Sequence, residues 1–174
     1  MGNYIKEFSP IKGSKGNRIM TMLIEHSFRV KPVYFEVYED DDDWKLYWNY
    51  GISPEEFLPI MKRHATPQMT WADAMNNQTI INEIRELSYT YSKELNENEV
   101  NLIKLFISKG FPELSRMKPL GLDGHHYIFT LGGNNTEYRC WCVIPREWKH
   151  IDSIIDLFVD IAGLDDNYRI SGIG

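Results

Sequence analysis

Two kinds of residue cluster in this chain could do chemistry: histidine near cysteine, and aspartate in runs. The first comprises His125, His126, Cys140, Cys142 and His150. Zinc takes about four imidazole or thiolate ligands in a tetrahedron. A hairpin could bring His126 opposite Cys140 or Cys142, so these three are the candidate metal ligands. Their spacing does not suit the task. Structural zinc sites use Cys-x-x-Cys knuckles, whereas Cys140 and Cys142 form Cys-x-Cys within an expected strand. Two free thiols acting as small apolar groups is the plainer reading, and no metal or other cofactor is expected. A Cys–His nucleophile would also need an oriented base and an oxyanion hole. No strand-to-helix elbow puts either cysteine at a helix N-terminus, where a thiolate would be favoured. Catalysis is therefore not expected. A small metal-binding or thiol-based enzyme at this hairpin stands as the competing possibility. Gly13-Ser14-Lys15-Gly16 lacks the spacing of a phosphate loop.

The aspartates are more pointed. Glu36, Glu39 and Asp40, Asp41, Asp42 and Asp43 put six carboxylates within eight residues. No calcium-loop pattern with a closing glutamate is present there. Asp152, Asp156 and Asp160 recur every four residues, so they stack on one face of a helix, with Asp165 and Asp166 just beyond. Like charges at that spacing cost a helix roughly a few tenths of a kcal/mol per pair. Charge runs are most often solvated faces. The functional alternative is a docking surface for a basic partner, with Asp40–Asp43 and Asp152, Asp156 and Asp160 as contact residues.

The elements that must position these groups follow from periodicity. Val33, Phe35 and Val37 alternate with Tyr34, Glu36 and Tyr38, and Trp44, Leu46 and Trp48 with Lys45 and Tyr47. The spacing predicts a hairpin over 32–50 with the aspartates at its tip. Trp44, Trp48, Tyr34, Tyr38, Tyr47 and Tyr50 crowd it. Core packing is expected for them, and an adaptor that binds through this aromatic hairpin is a third functional reading. Ser53-Pro54-Glu55-Glu56 opens a helix carrying Phe57, Ile60 and Met61. Thr70 with Asp73 opens a second, with Ile80, Ile84, Leu87 and Tyr91 on one face. Asn96 with Glu99 opens a third, which Gly110 and Pro112 close. His126 to Leu131 and Tyr138 to Val143 predict a second hairpin around Gly132–Asn135. Pro145 then opens a last helix with Trp148, Ile151, Ile155, Phe158 and Ala162 inward, ended by Gly163. Residues 18–30 are apolar and fit neither the helical nor the strand period.

The totals bound the rest. A chain of 174 residues suits one domain with a real core. The expected fold is α+β: two hairpins forming or flanking an antiparallel sheet, a helical middle and a C-terminal helix. Residues 1–17 are read as a flexible basic arm and 18–174 as the domain. Lys6, Lys12, Lys15, Arg18, Arg29 and Lys31 face only Glu7 and Glu25 in the first 31 residues. The remainder holds 13 of the 19 Lys/Arg but 23 of the 25 Asp/Glu, for a net charge of -6. Such a body repels a phosphate backbone, so direct nucleic-acid binding is not expected. It attracts basic proteins. No apolar run reaches the roughly 20 residues of a membrane helix, and residues 1–15 lack the apolar segment of a secretory signal. A cytoplasmic protein without a membrane partner is expected, its thiols reduced.

Leu122-Asp123-Gly124-His125-His126-Tyr127, then Glu137-Tyr138-Arg139-Cys140-Trp141, then Pro145 and an apolar helix, form a further pattern. It resembles one in small bacterial proteins, several of which are similar to immunity proteins of contact-dependent growth inhibition and related polymorphic toxin systems. The resemblance covers the last third of the chain. Its residues are structural: Gly124 for a turn, Tyr127 and Trp141 for packing, Pro145 for a helix start. It implies stoichiometric binding to a cognate toxin domain. Many such toxins are nucleases with basic grooves, and an acidic binder can mimic the phosphate it displaces.

Overall fold

The computed structural model describes residues 11–26, 31–52, 54–64, 66, 68–70, 73, 76–110, 125–132, 137–141, 143–144, 149–170 and 172–173. The strands are β1 (Asn17–His26), β2 (Val33–Asp40), β3 (Asp43–Tyr50), β4 (Tyr91–Glu94), β5 (His125–Leu131), β6 (Glu137–Trp141), β7 (Val143–Ile144) and β8 (Gly172–Ile173). The helices are α1 (Pro54–His64), α2 (Gln78–Leu87), α3 (Glu97–Lys109) and α4 (Lys149–Ala162). Six strands form one antiparallel sheet in the order β4-β3-β2-β1-β5-β6, and β7 and β8 pair in parallel apart from it. The fold is α+β, with the two expected hairpins inside a single sheet.

Residues 17–26 become a central strand, with β2 on one side and β5 on the other. That position explains why they show no clean period. Met20, Met22 and Ile24 enter the main core, while Thr21 and Leu23 on the other face are also buried. A strand covered on both faces reads as a continuous apolar run.

On the core face, α3 and α4 cover the sheet. Phe158 of α4 lies 5.3 Å from Phe35, and Phe106 of α3 lies 5.5 Å from Phe129, centroid to centroid. A buried aromatic or branched side chain stabilises by about 1.5–3 kcal/mol. Ile151, Ile154, Ile155, Phe158 and Val159 give α4 a complete inward face. Helices α1 and α2 pack on each other through Phe57, Ile60, Ile80 and Ile84, a smaller second cluster. No helix among the described residues is long and apolar enough to cross a membrane.

Two elements depart from the sequence reading. The hydrogen bonds of Thr70 with Asp73 form, but α2 has its own cap at Asn77, whose side chain accepts from the Thr79 and Ile80 amides. The helix then stops at Leu87. Tyr91 is not on its face but opens β4, opposite Trp48, and the two rings stack at 5.6 Å. Pairing with β3 and aromatic stacking outweigh one more helical turn. By contrast, α3 carries the expected reciprocal cap of Asn96 and Glu99.

Residues 11–16 were expected to belong to the loose arm, yet they lie on the domain. Lys12 donates to the Thr90 hydroxyl and to the Arg85 carbonyl. Gly16 runs so close to Glu39 that a Cβ there would fall 2.3 Å from its carbonyl oxygen. Residues 1–10 lie outside the described part.

The C-terminal segment ties back to the sheet. Tyr127 donates to the Tyr168 carbonyl at 2.8 Å, and the Tyr168 hydroxyl donates to the Lys31 carbonyl at 3.0 Å. Burial, with Asp165 second, pushes the Tyr168 phenol up to about 12. A raised tyrosine keeps its proton longer when folded than when unfolded. Its contribution is therefore intact below pH ~10 and is lost as pH rises from ~10 through ~12, by up to about 1.4 kcal/mol per pH unit. Stability should fall across that window, with the slope reduced in Tyr168→Phe. Urea melts at pH 9 to 12 check this; a flat profile in the native chain contradicts it.

Candidate functional site

The six carboxylates of the first hairpin separate into two groups. The pleat decides which. Glu36 lies on the face away from the main core, opposite Thr21 of β1 and Tyr47 of β3. It is 6% exposed. Its oxygens accept from the Tyr34 hydroxyl at 2.8 Å, the Tyr38 hydroxyl at 3.0 Å and the Arg18 guanidinium at 3.2 Å. A bulge in β1 aims the arginine. The register shifts between Arg18 and Met20, so Arg18 pairs with Tyr38 while Met20 pairs with Val37. One extra residue thus moves Arg18 to the face of Glu36 and leaves Met20 in the core. Burial first, then the adjacent carboxylate, pushes the Tyr34 phenol far above its ordinary value. Glu39 is also engaged, accepting from the Trp44 indole at 3.0 Å.

Asp40, Asp41, Asp42 and Asp43 remain. All four are exposed. Asp40 pairs with Asp43, so Asp41 and Asp42 make the turn. Among the described residues no side-chain hydrogen bond or ion pair engages any of the four. The base beneath them is firm. Trp44 is 7% exposed, its carbonyl accepts from the Leu95 amide at 2.8 Å, and Lys104 Nζ stands 5.1 Å over its ring. Asp41 has φ 55, the single left-handed residue other than glycine among those described. Aspartate and asparagine tolerate that conformation better than other non-glycine residues, so its cost here is below the roughly 1–2 kcal/mol of a general side chain. Asp41→Gly should therefore raise stability by about 0.5 kcal/mol, read as a higher urea midpoint. Loss of stability in that variant would mean the tip is better packed than its exposure indicates.

The last-helix stripe is different. Arg169 reaches it from beyond the short 3-10 helix Asp166–Tyr168. Its guanidinium binds Asp156 at 2.7 Å, Asp160 at 2.5 Å and Asp166 at 3.0 Å. The repulsion expected between Asp156 and Asp160 is thereby offset. Asp152 is outside this clamp, and burial together with Asp156 raises its pKa. Exposed pairs are worth about 0.2–1 kcal/mol each, so Arg169→Ala should lose about 1–2 kcal/mol, less at high salt. A variant as stable as the parent in low-salt urea melts would show that the clamp contributes nothing. The clamp gives the stripe a structural role that sequence spacing did not show. The sequence signal was an arginine three to thirteen residues beyond three aspartates.

The second hairpin gives a firm register. His126 stands opposite Trp141, and Cys140 opposite Tyr127. Directly paired residues share a face, so the positions of His126 and Cys140 fall on opposite faces of the sheet. Cys142 lies outside the described residues, as do Leu122–Gly124, Gly133–Thr136 and Pro145–Trp148. His150, the fifth member of the sequence cluster, hydrogen-bonds with the Gly110 carbonyl at 2.9 Å. Among the described residues no group of three or more His, Cys, Asp or Glu is placed to hold a metal ion.

Comparison with known proteins adds no relative. No family model matches this chain, no curated protein matches it, and no solved structure matches its fold. The site has to be read from its own geometry.

Proposed function

We propose that this protein is an immunity-type binder: it neutralises a cognate bacterial toxin domain by stoichiometric contact with a basic surface, without catalysis. The reading is carried by one observation. Four exposed aspartates that no side-chain hydrogen bond holds among the described residues sit at the tip of a well-anchored hairpin, and one of them has a left-handed conformation that glycine would take at lower cost. A two-residue tip selected for stability would carry glycine at its left-handed first position, Asp41. Local choices that go against folding mark functional positions. Projecting charge on a rigid base suits electrostatic steering, which speeds encounter with an oppositely charged partner.

The aspartate tip is the proposed contact. Asp152, at the unclamped end of the α4 stripe, is a secondary candidate, while Asp156 and Asp160 are occupied by Arg169. The immunity aspect rests on the sequence pattern of residues 122–145 and agrees with the acidic tip. The experiment is to mix the protein with the toxin domain encoded beside its gene. A one-to-one complex and loss of toxin activity are expected. A toxin domain that stays fully active at low salt in excess protein would contradict the proposal.

A further inference from the structure

β4 is an outermost strand of the sheet, and all its residues are exposed. In an antiparallel pair, every second residue turns its main-chain N–H and C=O away from its neighbour. The phase is fixed here. The Leu95 amide donates to the Trp44 carbonyl at 2.8 Å, and these two residues continue the β3–β4 register. Leu95, Lys93 and Tyr91 therefore aim their main-chain groups at β3, and Ser92 and Glu94 aim theirs outward. Among the described residues no strand takes up those outward groups.

An open edge is a template for another strand unless proline, a bulge or free charge blocks it. β4 holds no proline, and its pairing with β3 runs without a bulge. Its two charged side chains are neutralised within the chain: Lys93 binds Glu99 at 2.5 Å, and Glu94 binds Lys45 at 3.1 Å. Apolar surface gathers beside it. Leu87, Tyr89 and Tyr91 are 57%, 72% and 45% exposed, and exposed apolar surface concentrated in this way marks an interaction site.

We propose that β4 pairs with β4 of a second copy of this chain, antiparallel, about a two-fold axis at Ser92. Outward groups must meet outward groups, so the axis falls on a residue and not between two. Only axes at Ser92 and at Lys93 pair most of the strand with itself. An axis at Lys93 sets two lysines directly opposite, which is destabilising. An axis at Ser92 sets Ser92 against itself, Tyr91 against the partner's Lys93, and Glu94 against the partner's Thr90, so no like charges meet. About six main-chain hydrogen bonds then join the chains. The stem of Lys93 covers the partner's Tyr91, and Tyr89 comes opposite the partner's Leu95. Each contact is made twice, as a two-fold interface requires. The two β3 strands run in opposite directions across the axis, so the aspartate tips point away from each other. Both tips stay free, and the proposal does not depend on toxin binding.

The test is sedimentation equilibrium of the whole protein in about 0.15 M salt, which screens its net negative charge. The mass should rise from 20.5 kDa toward twice that value as concentration approaches about 0.5 mM, since a short seam binds weakly. Ser92→Lys and Ser92→Glu each set like charges opposite one another at the axis. Each alone should weaken association about fivefold. Mixed in equal amounts, the two variants should associate more tightly than either alone, because lysine then faces glutamate. Ser92 is exposed, so both variants should match the native chain in circular dichroism melts. A native chain that stays monomeric throughout, a variant that associates as well as the native chain, or a mixture no tighter than its components overturns the proposal.

Discussion

Replacing Glu36 with alanine is expected to destabilise the fold by about 3 kcal/mol, a loss in the range seen when one partner of a buried polar network is removed. The carboxylate is the common acceptor for Tyr34, Tyr38 and Arg18. Tyr34 is only 3% exposed, and once Glu36 is gone its hydroxyl has the Thr21 side chain beside it but no charged acceptor. Loss of a buried hydrogen bond to a charged group costs about 1.5–3 kcal/mol by itself. The arginine matters less, because its side chain is 49% exposed and water replaces the lost pair. Arg18→Ala, however, leaves the buried Glu36 carboxylate without its cation, held by two phenols, and should cost about 2 kcal/mol. Glu36→Gln, which keeps an acceptor, should fall between the two. Urea denaturation of the three variants and of the Arg18/Glu36 double variant measures the coupling. A loss below about 0.5 kcal/mol for Glu36→Ala would mean that the network is dispensable.

That network also shows how far the sequence could be read. Alternation around Val33, Phe35 and Val37 gave the strand and placed Tyr34, Glu36 and Tyr38 together on one face. It did not show that the face is buried, so Glu36 was grouped with the hairpin-tip charges. The bulge that brings Arg18 across is a register effect, visible only in pairing with β2. Caps were legible because they are local: Asn96 with Glu99 closes on itself within one turn. β4 was not legible. Its four residues are all exposed and alternate too briefly to signal a strand, and what fixes them is the neighbour β3. The Arg169 clamp escaped for the same reason, since it depends on the path of the chain after α4. The hairpin itself, with residues 40–43 at its tip, was legible from alternation on either side of the aspartates. That no side-chain hydrogen bond holds them among the described residues, which separates them from Glu36, Glu39, Asp156 and Asp160, needed the structure.

The second large effect concerns binding. Changing Asp40, Asp41, Asp42 and Asp43 together to asparagine removes four negative charges and takes the net charge from -6 to -2 (-6 + 4). Association with a basic partner should slow by about ten- to a hundredfold at low salt, the scale of electrostatic steering. Dissociation should change less, since rim charges act mainly on the approach. Stability should hold within about 0.5 kcal/mol, because relief of repulsion among the four carboxylates is offset in part by the lost attraction between Asp43 and Lys45. Asparagine also tolerates the left-handed position of Asp41. Circular dichroism melts of this variant separate a binding defect from a folding defect.

The most direct measurement is the association rate with the neighbouring toxin domain, by stopped flow, from 20 to about 300 mM salt. A steep fall in rate with salt for the native chain, and a slow, nearly salt-independent rate for the four-asparagine variant, is the predicted result. Identical rates and identical salt dependence for the two proteins would contradict the assignment of the hairpin tip as the docking surface.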